Sequence, residues 1–375
     1  MNPLQTLASH GQSVWLDFTR RQFVENGSLR KLINEDALTG VTSNPAIFAE
    51  AISQGAEYQS AIEHAAKRGL PAEEAYLEIV TEDIQRVADE LRDVYEQTQG
   101  RDGYVSLEVS PHLARDTEGS LRQARDLWSR IDRPNLYIKI PGTIEGLPVI
   151  RALTADGINV NVTLLFSLTR YRAVAEEYLA GLQQRAAAGE PVDRVSSVAS
   201  FFLSRIDLKV DPRLAELGRE SAEAAARVAA LQGQAAIACA KQAYQIYREL
   251  FGRERFHKLA VQGARPQRLL WASTSAKRPK ERDVRYVEAL IGPDTINTMP
   301  LKTLEGFRDH GDPTPRLEKN LDEVRATLRE LGECGIDLEA TARELEEEGL
   351  TKFTEPFDQL FASLQQKVDV AAAVH

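Results

Sequence analysis

Eight short strand-like runs, separated by longer amphipathic helical patterns, constrain this chain more than any other feature. The runs lie near Val14 to Phe18, Gly40 to Thr42, Val105 to Val109, Leu136 to Pro141, Ile158 to Phe166, Val195 to Phe202, Arg268 to Ser273 and Thr295 to Met299. Between them, Tyr76, Val80, Ile84, Val87, Leu91 and Val94 fall on one helical face, and Leu168, Tyr171, Ala175, Tyr178 and Leu182 on another, with Ser167 as an N-cap. Strands that alternate with helices need crossover connections, hence a parallel sheet. Eight such units close most economically into a (β/α)8 TIM barrel. A doubly wound sheet is the rival, but the glycine-rich turns that such sheets use for nucleotides, GxGxxG or GxxxxGK, do not occur.

The 375 residues, 43% of them hydrophobic, suffice for one large core. We expect a single domain over 1–375, with a barrel core of about 11–305 and additional helices at about 315–370 wrapping it. Those helices are read at Leu317 to Leu331, Leu338 to Glu348 and Glu355 to Val368, with the end, Asp369 to His375, frayed. The alanine-rich stretch Leu214 to Leu250 reads as a long helix or a broken pair packed on the barrel wall.

A formal net charge of -10 disfavours nucleic acid or an anionic membrane as partner, but leaves room for a local basic pocket that takes a small anion. Cys239 and Cys334 stand apart from any CxxC or Cys/His spacing and read as reduced thiols. With neither a leader nor a membrane-length apolar run, a cytoplasmic location is expected, and the sequons at Asn26 and Asn161 carry no weight.

Lys139 interrupts the oily run Leu136-Tyr137-Ile138-Lys139-Ile140-Pro141. Burial there disfavours the charged ammonium and favours a neutral amine that can attack a carbonyl, although a lysine near a strand end can also turn its head to solvent. In a barrel of this kind the active site lies at the carboxyl ends of the strands. Polar residues gather at those ends: Asp17, Thr42, Asn44, Glu108, Lys139, Asn161, Thr163, Ser200, Arg205, Ser273 and Asn297. Each alone has a structural explanation: Asp17 as a helix cap, Asn44 as a turn residue before Pro45, Glu108 as partner of a structural arginine, Thr163 as a β-former. Their convergence on one rim points instead to a site. Lys277, Arg278, Lys280 and Arg282 follow strand seven, where barrels often bind phosphate; Lys280 and Arg282 read as solvated surface, Lys277 as part of the pocket.

The segments Gly40-Val41-Thr42-Ser43-Asn44-Pro45-Ala46-Ile47-Phe48 and Leu136 to Gly146 resemble the two signature motifs of transaldolases. The resemblance runs on through Trp15-Leu16-Asp17, the Glu108 strand, Gly157 to Phe166 and the Ser200 to Arg205 spacing, covering roughly Gly11 to Pro300. It implies a barrel that transfers dihydroxyacetone without a cofactor or a metal. The donor is a ketose phosphate such as sedoheptulose 7-phosphate or fructose 6-phosphate. The acceptor is an aldose phosphate, glyceraldehyde 3-phosphate or erythrose 4-phosphate, in the non-oxidative pentose phosphate pathway. By position, Lys139 matches the Schiff-base lysine, Asp17 and Glu108 the acid/base pair, and Thr163 the residue that helps place a water. Asn44, Asn161 and Ser200 match groups around the dihydroxyacetone unit. One departure stands out: where shorter members carry an arginine two residues after the serine of strand seven, this chain has Ser273-Thr274-Ser275. A phosphate grip of Arg205, Ser273 and Lys277 is expected, with Ser275 or Arg278 as substitutes for Lys277. An aldolase that releases free dihydroxyacetone, and a silent sugar-phosphate binder, are the alternative readings. Monomer and homodimer both stay open.

Overall fold

The computed structural model describes residues 2–278 and 281–373. Eight parallel strands close into a barrel in chain order: β1 (Gln12–Asp17), β2 (Leu38–Thr42), β3 (Tyr104–Glu108), β4 (Leu136–Pro141), β5 (Val160–Leu165), β6 (Ser197–Phe202), β7 (Arg268–Ala272) and β8 (Thr295–Met299). All eight expected runs are strands of this barrel. β4 and β8 keep their expected limits and the others move by a residue or two; in β5, Ile158 and Asn159 form the approach to the strand.

Side chains alternate across each strand, so one set packs outward against the helices and the other fills the barrel. The inward set is unusually polar and aromatic. Trp15 and Tyr104 both lie against Tyr137, with ring centroids 6.1 and 4.3 Å away, and plug the middle of the barrel. Gly40 makes room for this plug: a Cβ there would lie 2.2 Å from the Trp15 ring. Beneath it, Asp102 accepts hydrogen bonds from Ser13 Oγ (2.7 Å) and Trp15 Nε1 (3.1 Å). Arg268 donates to Ser13, to the carbonyl of Thr295 (2.9 Å) and to that of Arg101 (3.1 Å).

Several helices depart from the expected limits for physical reasons. The pattern Tyr76 to Val94 is split at Leu91 into helices Ala72–Glu90 and Arg92–Gln97, and Tyr95 rather than Val94 takes the buried position after the break. The alanine-rich stretch comprises the end of Ser204–Leu217, then Ala222–Leu231 and Ala235–Phe251. Ser167 caps Leu168–Ala187 as expected, its Oγ accepting from the Arg170 amide at 2.9 Å.

The largest correction is at the C-terminal end. Leu321–Glu333 forms there, but the two helices expected after it are a single helix, Leu338–Ala373, with Pro356 inside it. Gly349 and Pro356 weaken a helix locally, yet Leu345 is buried, and Phe353, Phe357, Leu360, Leu364 and Val368 recur at three- and four-residue intervals and are all buried. Tertiary packing of that stripe overrides the local signals. The helix also runs into the segment expected to fray, as far as Ala373. It packs on helices Pro45–Gln54, Gln59–Lys67 and Ala72–Glu90 and reaches Ser204–Leu217 and β5, so it crosses the carboxyl-end rim. Among the described residues, no helix is long and apolar enough to cross a membrane.

Candidate active site

The carboxyl ends of β1, β2, β4, β6, β7 and β8 open into a cavity of about 170 Å³ lined by Asp17, Thr42, Asn44, Lys139, Ser200, Arg205, Ser273 and Lys277, among others. A water takes about 30 Å³, so this space equals the volume of about five or six waters. A larger cleft, about 400 Å³, lies among the outer helices and contains Arg21, Glu57, His64 and Arg86. Its arginines are paired within it, Arg21 with Glu82 and Arg86 with Glu25 and Glu82, Glu57 pairs with Arg20 outside it, and it touches no strand end.

Lys139 and Glu108 are register partners on adjacent strands, which puts their side chains next to each other inside the barrel. The ammonium nitrogen lies 3.5 Å from Glu108 Oε2, with side chains 5% and 3% exposed. That separation is too long for a good hydrogen bond, and neither carboxylate oxygen of Glu108 has a hydrogen-bond donor; Lys139 Nζ donates instead to the Ser43 carbonyl at 3.1 Å. Burial pushes Glu108 up to about 7; the nearby Lys139 charge works against this shift and Asp17 adds slightly to it. A structural arginine is not its partner.

Asp17 caps no helix. Its Oδ1 accepts from Thr42 Oγ1 at 2.8 Å, and Thr42 is linked in turn to Thr298 Oγ1 at 2.8 Å. Burial raises the Asp17 carboxyl above its ordinary value; Lys139, the Thr42 hydrogen bond and the more distant Arg205 and Lys277 oppose the rise. Asn44 lines the cavity and also caps Pro45–Gln54, its Oδ1 accepting from the Ile47 amide at 3.0 Å. Ser200 donates to Asn161 Oδ1 (2.7 Å), and Asn161 donates to Ser106 Oγ (3.0 Å). Asn161 therefore holds Ser200 in place and does not itself line the cavity. Thr163 does not line it either; its Oγ1 is buried without a partner on the protein.

The other end of the cavity is cationic. Arg205 belongs to the first turn of Ser204–Leu217 and not to the end of β6. Its guanidinium lies 5.4 Å from the Phe202 ring centroid, and its buried Nη1 has no partner. Burial lowers its pKa, with Asp17 and Glu348 opposing. Lys277 Nζ donates to Ser275 Oγ at 2.6 Å; desolvation of its head and the neighbouring Arg205 charge lower its pKa. Arg278 is not among the lining residues and pairs with Asp211. Arg282 pairs with Glu288, in keeping with a surface role. Lys280 lies outside the described residues. Ser273, at φ 55°, occupies the left-handed region, as does Leu164 at φ 59°. Both deviations fall at the rim, where such strain is retained when the surroundings enforce it.

Sequence reasoning missed several cavity residues. On β8 it named Asn297, whereas Thr298 lines the cavity; the pleat sends Asn297 to the other face. Phe202, Ala272 and Pro300 complete the walls from barrel segments, together with Ser275, which was expected only as a substitute for Lys277, and Phe353 enters from the C-terminal helix. Of the residues missed, only Thr298 and Phe202 carry a sequence signal, the two-residue alternation along the strand from Ser200 and toward the end of β8. Among the described residues, no group of three or more His, Cys, Asp or Glu side chains is arranged to hold a metal ion, and Cys239 and Cys334 are both free.

Comparison with known proteins agrees with this geometry. The pattern that defines the Transaldolase/Fructose-6-phosphate aldolase family matches residues 14–364. A transaldolase of Thiobacillus denitrificans is 46% identical over 364 residues, 97% of this chain and 100% of that protein. One from Thermobifida fusca is 47% identical over 98% of each chain, and a protein named transaldolase 2 from Nostoc punctiforme is 43% identical over 100% of this chain and 99% of its own.

Proposed function

Since the chain belongs to the transaldolase/fructose-6-phosphate aldolase family, we propose that it is a transaldolase moving a dihydroxyacetone unit between sugar phosphates through an imine on Lys139. The observation that carries the residue assignment is the buried contact of Lys139 with Glu108, a carboxyl poised near neutrality, beside a cavity that also holds Asp17.

The amine of Lys139 attacks the keto carbon of the donor, and Glu108, through water held with Thr163, supplies the proton with which the carbinolamine loses hydroxide as water. The resulting iminium withdraws electrons from the bond between carbons 3 and 4. Asp17 takes the proton of the carbon 4 hydroxyl, that bond breaks, and an aldose phosphate leaves. The enamine left on Lys139 then adds to the aldehyde carbon of the acceptor, whose oxygen takes the proton back from Asp17. Water finally frees the new ketose. Asn44, Ser200 and Thr42 hold hydroxyls of the three-carbon unit, with Asn161 fixing Ser200, while Arg205, Ser273 and Lys277 grip the phosphate. Sedoheptulose 7-phosphate or fructose 6-phosphate as donors, and glyceraldehyde 3-phosphate or erythrose 4-phosphate as acceptors, fit the non-oxidative pentose phosphate pathway and a reducing, cytoplasmic setting in which the two thiols stay free.

Borohydride added in the presence of fructose 6-phosphate tests this. One reduced dihydroxyacetone unit is expected on Lys139 by mass spectrometry, and Lys139→Met should show neither adduct nor turnover. Labelling at another lysine, with Lys139→Met still active, would remove the mechanism. The family name also covers an aldolase, so release of free dihydroxyacetone is the second reading. Partition between acceptor and water separates the two.

A further inference from the structure

Among the described residues that line the cavity, all but Phe353 belong to a strand or to the segment directly after one. Its ring is 5% exposed and comes from the helix Leu338–Ala373, which is built onto the rim by an unusually dense set of contacts. Lys209 pairs with Glu344 (3.2 Å) and also with Glu348, and Arg213 with Glu344 (2.7 Å). Arg115 pairs with Glu347. Arg170 bridges Glu346 (3.3 Å) and the carbonyl of Gly142 (2.7 Å), directly after the strand that carries Lys139. At Gly349 the helix passes so near the barrel that a Cβ would lie 2.9 Å from Leu164 Cδ2 and 3.7 Å from Arg205 Nη1. The strained Leu164 thus meets the helix at its one residue without a side chain.

We propose that Phe353 is a specificity-determining residue: it walls the cavity against water while the enamine waits on Lys139, and so favours transfer over hydrolysis. The inference rests on the transaldolase reading given above. Two fates compete for the enamine. In transfer its carbon forms a bond to the acceptor aldehyde carbon, and the aldehyde oxygen takes a proton. In hydrolysis the same carbon takes a proton, water adds to the iminium carbon, the carbon-nitrogen bond breaks, and free dihydroxyacetone leaves with the lysine amine restored. Nothing is oxidised or reduced in either fate. The choice depends on how well bulk water is kept from the site before the acceptor arrives, and an apolar ring at the cavity wall is a group that excludes water without competing for the sugar hydroxyls. The charge pairs along Glu344 to Glu348 hold the ring in position.

The test uses the full chain with fructose 6-phosphate as donor and erythrose 4-phosphate as acceptor, measuring free dihydroxyacetone against sedoheptulose 7-phosphate formed. Phe353→Ala should raise the share released as free dihydroxyacetone roughly tenfold, the scale on which a lost apolar contact alters discrimination, while borohydride still labels Lys139. Phe353→Leu, which keeps an apolar contact and preserves the helix, should shift the partition in the same direction by less, and it decides the matter should the alanine variant not fold. An unchanged partition in a folded Phe353→Ala or, failing that, in Phe353→Leu would overturn the inference and leave the ring as packing alone. Failure of the transaldolase reading looks different: the wild-type protein itself would then give no transfer product.

Discussion

At the amino ends of the strands Arg268 and Asp102 approach to 3.4 Å with side chains 8% exposed; at the carboxyl ends Lys139 and Glu108 approach to 3.5 Å, buried to a similar degree. The pairs differ in what surrounds them. Asp102 accepts from Ser13 and Trp15, and both terminal nitrogens of Arg268 are engaged, leaving only its Nε without a partner. Around Lys139, both oxygens of Glu108 and Thr163 Oγ1 lack partners on the protein, and Lys139 itself lines a cavity shared with Arg205, whose Nη1 also lacks one. Burying ions is costly in either place, but only the lower pair is compensated by the protein itself. Unpartnered groups beside an open cavity mark the end where substrate supplies what the fold withholds; charge and burial alone would not tell the ends apart.

The carboxylates of the upper end should respond most to mutation. Asp17→Ala should cut turnover by roughly 10²- to 10⁴-fold, the usual scale of positioned proton transfer, while borohydride trapping of the donor imine persists. Glu108→Ala should slow imine formation itself by a similar factor, resolved by rapid-quench trapping. If both variants trap at the wild-type rate and turn over normally, the upper end is no more catalytic than the lower.

Asp102→Ala probes the other end. It leaves Arg268 charged and uncompensated in the barrel floor, at a cost of about 3 to 5 kcal/mol, to be read from denaturant unfolding. The activity of the folded fraction should stay near that of wild type. A large fall in kcat without loss of stability would mean that the floor participates in catalysis and would dissolve the contrast.

Next in size is the pH dependence of stability. An unfolded glutamate titrates near 4.3, whereas burial holds Glu108 at about 7, so between these values the folded chain binds a proton that the unfolded chain releases. The stability associated with this group is fully present below the lower value and is lost as pH rises through the upper one. Glu108→Gln removes that loss, and its unfolding free energy relative to wild type should rise between pH 5 and pH 8 by on the order of 2 to 3 kcal/mol. In wild type, the rate of imine formation should fall above about pH 7 as the acid form disappears. A pH-independent stability difference would place the proton elsewhere.

Much of this contrast could be read before the fold was known, because a lysine or glutamate inside an apolar β-run violates the pattern around it. The eight strands were legible for the same reason, since their composition and length repeat. What resisted was whatever depends on the pleat or on distant partners. Asn297 and Thr298 differ by one residue, hence by a whole face, and nothing local says which points inward. Asn161 was expected as a substrate contact; in the structure its side chain bonds Ser200 and Ser106 and is absent from the cavity lining, which nothing local in the sequence indicates. Phe353 was illegible because its value comes from a helix crossing the rim, guided by charge pairs with Lys209, Arg170 and Arg115 across the fold.

The basic run after β7 presents the same difficulty on a smaller scale, and it yields the smallest predicted effect. Four cations in sequence look alike, but Arg278 is spent on Asp211 and Arg282 on Glu288, whereas Lys277 faces the cavity with only a serine hydroxyl as partner. Arg205 shares that cavity and lacks a partner for Nη1. Phosphate is remote from the breaking bond, so its contacts contribute to binding and should appear in KM more than in kcat. Arg205→Ala should therefore weaken phosphorylated donors far more than dihydroxyacetone itself. Lys277→Ala should do likewise to a lesser degree, by about 1 to 3 kcal/mol if one charge-assisted contact is lost. The measurement is the ratio of kcat/KM for phosphorylated and unphosphorylated donors. A ratio unchanged in Lys277→Ala but reduced in Ser275→Ala would assign the missing arginine's place to the hydroxyl that Lys277 now occupies.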